Sequence, residues 1–256
     1  MTNEEIWRIA REQSAIDCNC APEDFLKTEN VVTLSKADPR ARAYLPLPLE
    51  CDLVSYGSNV VAQTSERLRD AVAAYVDRYP ASFSIETPHI YVLNDALVPF
   101  GLKACYIAEY FLPDLDQLRE RPCRYELRLL HPEDFAGLYK PAWSNALCAE
   151  RKHLDALAVG AYDGGELIGL AGCSADCESM YQIGIDVLPA YRRQGVAAAL
   201  TSRLALETLA LGKVPFYCAA WCNLKSVRNA LKCGFRPAWV ELTARSFDHV
   251  DQLNGR

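Results

Sequence analysis

The stretch YRRQGVAAA, residues 191–199, concentrates the groups that a diphosphate-binding turn needs. It follows an apolar, strand-like segment and opens an alanine-rich helical one, so it places a turn at a helix N-terminus. Unsatisfied N–H groups and the positive end of the helix dipole favour an anion there. A glycine lets the backbone approach a phosphate closely, and arginines add charged donors. The residues of this candidate cradle are Arg192, Arg193, Gln194, Gly195, Val196, Ala197 and Ala198.

The elements that must position this turn form a regular series in residues 125–245. The hydrophobic pattern predicts, in order, strand 125–130, a helix from 131, a hairpin over 156–175, strand 180–188, helix 196–211, strand 214–221, a short helix ending at Gly234 and strand 237–245. The Asp-Gly-Gly sequence in the hairpin supplies the positive φ angles of a tight turn. Helix 196–211 carries Ala, Leu and Val on most faces, which predicts that it is buried.

The first half of the chain is less regular but also mixes helices and strands. Residues 3–15 and 66–79 have helical periodicity, and NVVTL and CDLVSYGSNVVAQ have the composition of strands. The polar, proline-containing segment 114–124 indicates a linker. We therefore predict an N-terminal α/β domain over 1–113 and a second domain over 125–256.

Two motifs in the second half, taken with the order of its elements, resemble the GNAT superfamily of acetyl-CoA-dependent N-acyltransferases. That superfamily carries Arg/Gln-x-x-Gly-x-Gly/Ala between its fourth strand and the next helix, and RRQGVA at 192–197 matches it. The downstream segment NLKSVRNALKCGF matches a second family segment through Asn223, Ser226, Lys232, Gly234 and Phe235. The resemblance covers about residues 125–245. It implies a mixed α/β sheet of the GNAT acyl-CoA N-acyltransferase fold, preceded by a smaller, degenerate GNAT-like α/β domain.

The resemblance also implies roles for individual residues. The amides of 192–197 would hold the pyrophosphate of coenzyme A, and the backbone around Asp186, from Ile185 to Val187, would pair with the pantetheine arm like an extra strand. This pairing requires strands 180–188 and 215–222 to diverge. Asn223 would contact the pantetheine near that opening, with Ser226 in the same segment.

The candidate catalytic residues differ from those of the family, because this chain lacks the side chains that many GNAT enzymes use for proton transfer. Many GNAT enzymes protonate the leaving thiolate with a tyrosine seven residues after the asparagine, where this chain has Ala230. Strand alternation puts Tyr181, Ile183 and Ile185 on one face, which we expect to be the cleft face. Since Tyr181 is the polar member of that set, it is the candidate catalytic residue, with packing under the pantetheine as its alternative role.

An internal echo suggests that the two halves are related. Residues 91–111 resemble 225–245 in an Asn…Ala-Leu core followed by glycine and a strand, and 56–76 resemble 191–211. A duplication would explain both similarities, and two apolar helix–strand units matching by chance would explain them equally well. If the halves are duplicates, the first copy has lost the arginines and the glycine.

Composition narrows the possible partners and compartments. The formal net charge of −6 argues against a general nucleic-acid binder, which needs clustered positive charge. The sequence has no run of about 18 apolar residues, so we expect no membrane span. The start MTNEEIWRIAREQ is polar and contains acids, unlike an export or transit signal. We therefore expect a cytoplasmic protein without nucleic-acid or membrane partners.

Eleven cysteines are compatible with a reducing compartment, where most would be packed as small apolar residues. The pairs Cys18/Cys20, Cys173/Cys177 and Cys218/Cys222 lack the C-x-x-C spacing of zinc knuckles. We expect no metal, although a zinc-stabilised interaction protein is an alternative.

The combined features predict transfer of an acetyl group from acetyl-CoA to a primary amine. The partners would be acetyl-CoA and an amine acceptor, and the protein would be a monomer or a homodimer. An alternative of another class is a module that binds or senses CoA with little turnover. Ala230 favours it, and so does the absence of a Glu or His, the common family base, from the expected cleft-facing residues of strand 180–188.

Overall fold

The computed structural model describes residues 1–256, which form six α-helices and ten β-strands. The helices are α1 (Asn3–Cys18), α2 (Arg69–Val76), α3 (His89–Leu97), α4 (Val196–Ala210), α5 (Leu224–Cys233) and α6 (Phe247–Leu253). The strands are β1 (Val31–Leu34), β2 (Cys51–Ser55), β3 (Val61–Thr64), β4 (Leu102–Pro113), β5 (Glu126–Leu130), β6 (Asp155–Asp163), β7 (Glu166–Ser174), β8 (Met180–Val187), β9 (Val214–Ala220) and β10 (Phe235–Ser246). None of the helices combines the length and the apolar character that crossing a bilayer requires.

Internal contacts group the chain into two compact units. Unit 1 comprises Met1–Ala10 and Phe111–Pro237, and unit 2 comprises Arg11–Tyr110 and Ala238–Arg256. The unit boundaries therefore lie inside α1, β4 and β10. The sequence predicts domains over 1–113 and 125–256, joined by a linker over 114–124. Grouping by contacts does not test whether these segments fold independently, so the domain limits stay a prediction.

Unit 1 is built on five strands in the order β9-β8-β7-β6-β5. Neighbouring strands are antiparallel, except that β8 and β9 are parallel. Parallel neighbours that follow each other in the chain need a crossover connection, and α4 provides it. This crossover begins at the end of β8, which places the predicted diphosphate turn at that end of the strand.

The core of unit 1 explains why α4 is apolar on nearly every side. Leu200, Leu204 and Ala205 are completely buried among side chains of β6, β7 and β9. The buried Thr208 hydroxyl donates to the carbonyl of Leu204 at 2.8 Å, so its polar group is satisfied. Each buried leucine contributes about 1.5–3 kcal/mol. The prediction of a buried helix over 196–211 is confirmed.

Unit 2 contains strands in the order β1-β3-β2-β10, with β4 beside β10. Its one parallel pair is β1 and β3, while β2 is antiparallel to both of its neighbours. Apolar side chains of α2 and α3 pack on this sheet, including the fully buried Val76 and Leu93. The unit is therefore a mixed α/β structure, as the sequence predicts.

Some local predictions are confirmed and one is wrong. The hairpin turn has Gly164 at φ 57° and Gly165 at φ 91°, as its Asp-Gly-Gly sequence predicts. The helix expected from residue 131 is absent, and only a single 3-10 turn forms over Pro132–Asp134. Gly137 and Pro141 follow within nine residues of Pro132, which leaves too short a segment for helix nucleation.

Of the two pairs of similar segments found in the sequence, one has matching secondary structure and the other does not. Residues 91–111 and 225–245 both form a helix, a left-handed glycine and a strand, with Gly101 at φ 74° and Gly234 at φ 94°. In the other pair, β3 occupies the positions at which α4 begins, so that alignment is wrong in its register. The glycine-ended helix–strand unit is thus repeated in structure, and the duplication itself stays a prediction.

Candidate functional site

The turn before α4 has the backbone of an open anion cradle. Gly195 stands at the helix start with φ 86°, and Arg193 also has a positive φ, of 63°. No side chain caps the first N–H groups of α4. A Cβ added at Gly195 would have no heavy atom within 4 Å, so the space beside this glycine is open. Main-chain donors at a helix start, with room in front of them, are what a phosphate group needs.

The side chains of the turn separate into exposed and buried sets. Arg192, Arg193 and Gln194 are exposed, whereas Val196 and Ala198 are only 1% and 3% exposed and lie in the core of unit 1. The buried residues can therefore offer a ligand only their main-chain N–H groups. The two arginines can offer charged donors, since both extend into solvent.

Two residues outside the motif fix Gln194. Its Oε1 accepts a hydrogen bond from the Tyr125 hydroxyl at 2.7 Å and another from Arg124 Nη2 at 2.5 Å. Its Nε2 donates to the carbonyl of Ala190 at 3.0 Å. The guanidinium of Arg124 also lies 4.7 Å from the centre of the Tyr125 ring. Arg124 therefore adds a third arginine to this surface, which the sequence did not reveal because it precedes a strand far from the motif.

Strands β8 and β9 separate next to this turn. Their pairing runs from Met180–Val214 to Ile183–Tyr217 and then stops, although β8 continues to Val187 and β9 to Ala220. The predicted divergence of these strands is thus confirmed. The last four residues of β8 keep their partners in β7 but have none in β9.

The peptide groups of Ile185 and Val187 point toward this open edge. Leu188 N donates to the carbonyl of Ile168 in β7 at 2.9 Å. Since successive residues direct their peptide groups to opposite edges of a strand, Val187 and Ile185 face away from β7. The Val187 carbonyl accepts a hydrogen bond from Arg192 Nε at 2.9 Å. A strand-like ligand could therefore pair with Ile185 and Val187, after Arg192 releases Val187.

The two faces of β8 have different surroundings. Ile183 is buried in the core beneath α4, and Tyr181 and Ile185 pack against the same core. The side chain of Asp186 is on the opposite face, where it accepts hydrogen bonds from Asn145. The face that we expected to be the cleft face is therefore the one that packs on α4.

Tyr181 lies in the closed part of the β8–β9 ladder, paired with Pro215. Burial raises the pKa of its phenol, and the nearby thiols of Cys173 and Cys177 add to the effect. A second phenol, Tyr217, lies in the last pair of the ladder. Its hydroxyl is 2.9 Å from Ser226 Oγ, and burial raises its pKa despite this hydrogen bond. Both phenols are therefore protonated near neutral pH.

The second motif forms the start and the end of α5. Asn223 caps the helix, and its Oδ1 accepts a hydrogen bond from Ser226 N at 3.4 Å. Ala230, at the position of the family tyrosine, is completely buried and leaves no space for a larger group without repacking. Gly234 ends the helix in the left-handed conformation, and an added Cβ there would lie 2.6 Å from Leu118 N.

Unit 2 contains a separate group of buried titratable residues that the sequence pattern did not reveal. Asp17, Asp52 and Glu241 line a cavity of about 10 Å³ together with Arg42. Arg42 Nη1 lies 2.5 Å from Asp17 Oδ2, and the Arg42 charge also acts on Glu241, whereas the cation that acts on Asp52 is Arg245. Burial raises the pKa of Asp52 to about 6, and burial together with the Asp52 charge raises that of Glu241 to about 8.

Residues 1–256 contain no group of three or more His, Cys, Asp and Glu side chains that could hold a metal ion. None of the eleven cysteines forms a disulfide. The three cysteine pairs of the zinc alternative therefore have no third ligand beside them.

Comparison with protein families agrees with the site. The family model described as GNAT acetyltransferase matches residues 111–238, which is half of the chain. The chain therefore belongs to the GNAT acetyltransferase family, and the resemblance seen in the sequence is confirmed. No similar sequence was found among curated proteins.

Several solved structures share the fold in part. A GNAT-family protein from Novosphingobium aromaticivorans matches at 18% identity and a TM-score of 0.45, covering 56% of this chain and 66% of that one, just under two thirds of its length. A GCN5-related N-acetyltransferase-like protein from Streptococcus suis matches at 18% identity and a TM-score of 0.46, covering 62% and 69%. An aminoglycoside N-acetyltransferase solved in complex with CoA matches at 23% identity and a TM-score of 0.35, covering 46% and 92%.

Proposed function

We propose that this protein transfers an acetyl group from acetyl-CoA to a primary amine. The observation that carries the proposal is the meeting, at the end of β8, of two sets of main-chain groups that have no partner strand and no side-chain cap. One set is the uncapped helix start at Gly195, and the other is the unpaired edge of Ile185 and Val187. Together they offer donors for a diphosphate and a strand-like edge for the amide-containing arm attached to it.

Each residue of the sequence prediction has a role in this proposal. The amides of 192–197 would bind the pyrophosphate, with Arg192 and Arg193 adding charge. Ile185 and Val187 would pair with the pantetheine on either side of Asp186, and Asn223 with Ser226 would contact the arm from α5. CoA would supply the thioester whose carbonyl carbon the amine attacks.

The protein would act mainly by holding the thioester and the amine together, which can lower a barrier by several kcal/mol. The amine must lose a proton and the departing thiolate must gain one. Tyr181 stays our candidate for assisting these proton movements, since its raised pKa keeps the phenol protonated. Water can take the amine proton without a protein base.

A CoA-binding sensor with little turnover is the second candidate. Two observations favour it. Ala230 replaces the family's acidic tyrosine, and the carboxylate nearest the open edge, Asp186, is already occupied by main-chain and side-chain N–H donors. A carboxylate with its acceptor positions filled is a poor general base.

Two measurements test the proposal. Titration calorimetry should show binding of acetyl-CoA and of CoA by the folded protein, and absence of binding would reject both candidates. A thiol-release assay with acetyl-CoA and a panel of primary amines should show amine-dependent turnover. Binding without amine-dependent release would reject the enzyme and favour the sensor.

The proposal includes the cytoplasm as the compartment, supported by eleven cysteines without a disulfide bond, a state that reducing conditions maintain. The acceptor would be a cationic amine in its resting state, deprotonated before attack. A monomer or a homodimer is expected, and light scattering would distinguish them.

A further inference from the structure

The side chain of Asp186 fastens a neighbouring segment to the open edge of β8. One carboxylate oxygen accepts hydrogen bonds from Asn145 N at 2.8 Å and Ala146 N at 3.1 Å. The other accepts from Asn145 Nδ2 at 2.7 Å. Three charge-assisted hydrogen bonds from two consecutive residues to one carboxylate fix the position of their backbone.

Two glycines let that segment lie directly on the sheet. A Cβ added at Gly184 would lie 1.7 Å from Asn145 O, and one added at Gly172 would lie 2.1 Å from Ala146 O. Gly184 and Gly172 pair with each other across β8 and β7. Any larger residue at Gly184 or Gly172 would push the Asn145–Ala146 segment away from the strands. Glycine at both positions is therefore what allows the segment to contact β7 and β8 directly.

The segment lies where β8 loses its partner. Gly184 is the first residue after the last ladder pair, Ile183–Tyr217. On one face of β8, Ile183 and Ile185 pack against the core under α4, so that face is covered at these two positions. On the other face, the covering element at this position is the segment around Asn145 and Ala146.

We propose that Asp186 is a positioning residue that sets the width of the passage through which the acceptor amine reaches the open edge of β8. The proposal rests on the proposed acetyl transfer. Asp186 does not take a proton in it. Its carboxylate acts through Asn145 and Ala146, which form the wall of the passage on the face away from α4.

Two substitutions should loosen the Asn145–Ala146 segment, one by weakening its hydrogen bonds to Asp186 and the other by placing a Cβ against it. Asp186→Asn keeps the size of the side chain but replaces one acceptor by an NH2 group, which must face a donor. Gly184→Ala keeps the carboxylate but adds a Cβ in the place of Asn145 O. The matched control is Asp155→Asn. Asp155 is also buried and also accepts from a main-chain N–H, that of Cys148, but it lies at the opposite end of β6 and β7 from the open edge.

The first readout is hydrogen exchange of the peptide that contains residues 143–147. We expect faster exchange in Asp186→Asn and Gly184→Ala than in the native protein or in Asp155→Asn. The second readout is steady-state kinetics with acetyl-CoA and either spermidine or kanamycin as the amine. We expect KM for the better of these two amines to rise by about tenfold or more in both variants, the change that about 1.4 kcal/mol of lost positioning produces. The value of kcat should change less, and the Kd for acetyl-CoA should stay within about twofold.

The outcomes separate this inference from the function on which it rests. Unchanged exchange in Asp186→Asn would overturn the fastening role. Faster exchange without any change in the amine KM would overturn the passage. If the native protein binds acetyl-CoA but acetylates neither amine, the hydrolysis of acetyl-CoA by water becomes the readout, and we expect it to rise in both variants and not in Asp155→Asn. If acetyl-CoA hydrolysis rises equally in Asp155→Asn, the role of Asp186 is purely structural.

Discussion

The two units each contain one parallel pair of strands, and the pairs end differently. In unit 2, β1 and β3 are paired along their whole length, from Val31–Val61 to Leu34–Thr64. In unit 1, the pairing of β8 and β9 stops at Ile183–Tyr217 and leaves the last four residues of β8 open on that edge. A fully paired ladder has no free backbone groups between its strands, so of these two pairs only β8 and β9 can accommodate a strand-like ligand between them.

The turns that follow β8 and β3 also differ in whether they leave space and free donors for a ligand. The turn after β8 has Gly195 in the left-handed conformation, open space and two exposed arginines. The turn after β3 closes into the 3-10 turn Glu66–Leu68, and Arg67 in it is ion-paired with Glu50 at 2.7 Å. A carboxylate at a helix start occupies the place that an anionic ligand would need. The difference shows that a helix following a strand does not by itself leave a free helix start with open space before it.

The largest effect on this comparison should come from Gly195→Val. A β-branched residue is strained at φ 86°, and its side chain would project into the space in front of the helix amides. We expect the Kd for CoA to rise by roughly a hundredfold or more, measured by calorimetry.

The matched control is Gly212→Val, in the turn after α4. Gly212 has φ 73° and equally open space, so this variant carries a similar strain away from the cradle. We expect both variants to lose a few degrees of Tm. Equal affinity for CoA in the two variants would contradict the assignment of the cradle.

A smaller effect should follow from removing one edge N–H with proline. Ile185→Pro removes a donor that faces the open edge, where proline is tolerated because β7 loses no hydrogen bond. The expected result is a rise in the Kd for CoA of about tenfold, since one hydrogen bond contributes about 0.5–1.5 kcal/mol.

Val32→Pro tests the same change in unit 2. Val31 N donates to the carbonyl of Val60, which precedes β3, and Ser35 N donates to that of Thr64 in β3, so by alternation the N–H of Val32 faces away from β3. β1 is also at the end of the strand order. This variant should bind CoA like the native protein. Loss of binding in Val32→Pro as well would show that proline acts through stability and not through the open edge.

The turn before α4 could be predicted because it depends on local features, whereas the open edge of β8 was expected from the resemblance to the family. Gly195, the alanine-rich helix and the alternation of β8 can be identified from neighbouring residues alone. The fastening of Asn145 by Asp186 could not be predicted, because it joins residues 41 positions apart and depends on glycines in two strands. The packing of Ile183 against α4 also needed the structure, since alternation separates the two faces of β8 without showing which one the helix covers.

The exposed arginines should have a moderate and salt-dependent effect. Arg192→Ala removes a charge but also frees the Val187 carbonyl, so the two consequences partly offset each other. We expect a three- to tenfold weaker Kd for CoA at low salt and a smaller difference at high salt, because exposed charges are screened. Arg67→Ala, at the turn after β3, should leave CoA binding unchanged and cost at most about 1 kcal/mol of stability. An equal loss of affinity in both arginine variants would mean that overall charge, not the cradle, attracts CoA.

The smallest effect on CoA binding is expected from the buried carboxyl groups of unit 2, where the change concerns stability. Burial raises the pKa of Glu241 from its ordinary 4.5 to about 8. The folded state therefore holds a proton that the unfolded state has released, so between about pH 4.5 and pH 8 the free energy of unfolding falls as pH rises. Glu241→Gln mimics the protonated form and should flatten that slope, as measured by urea unfolding at several pH values. Glu126→Gln, at an exposed residue, should keep the native slope. A native protein whose stability rises over the same range would show that Glu241 folds as a charged group and that Arg42 compensates it.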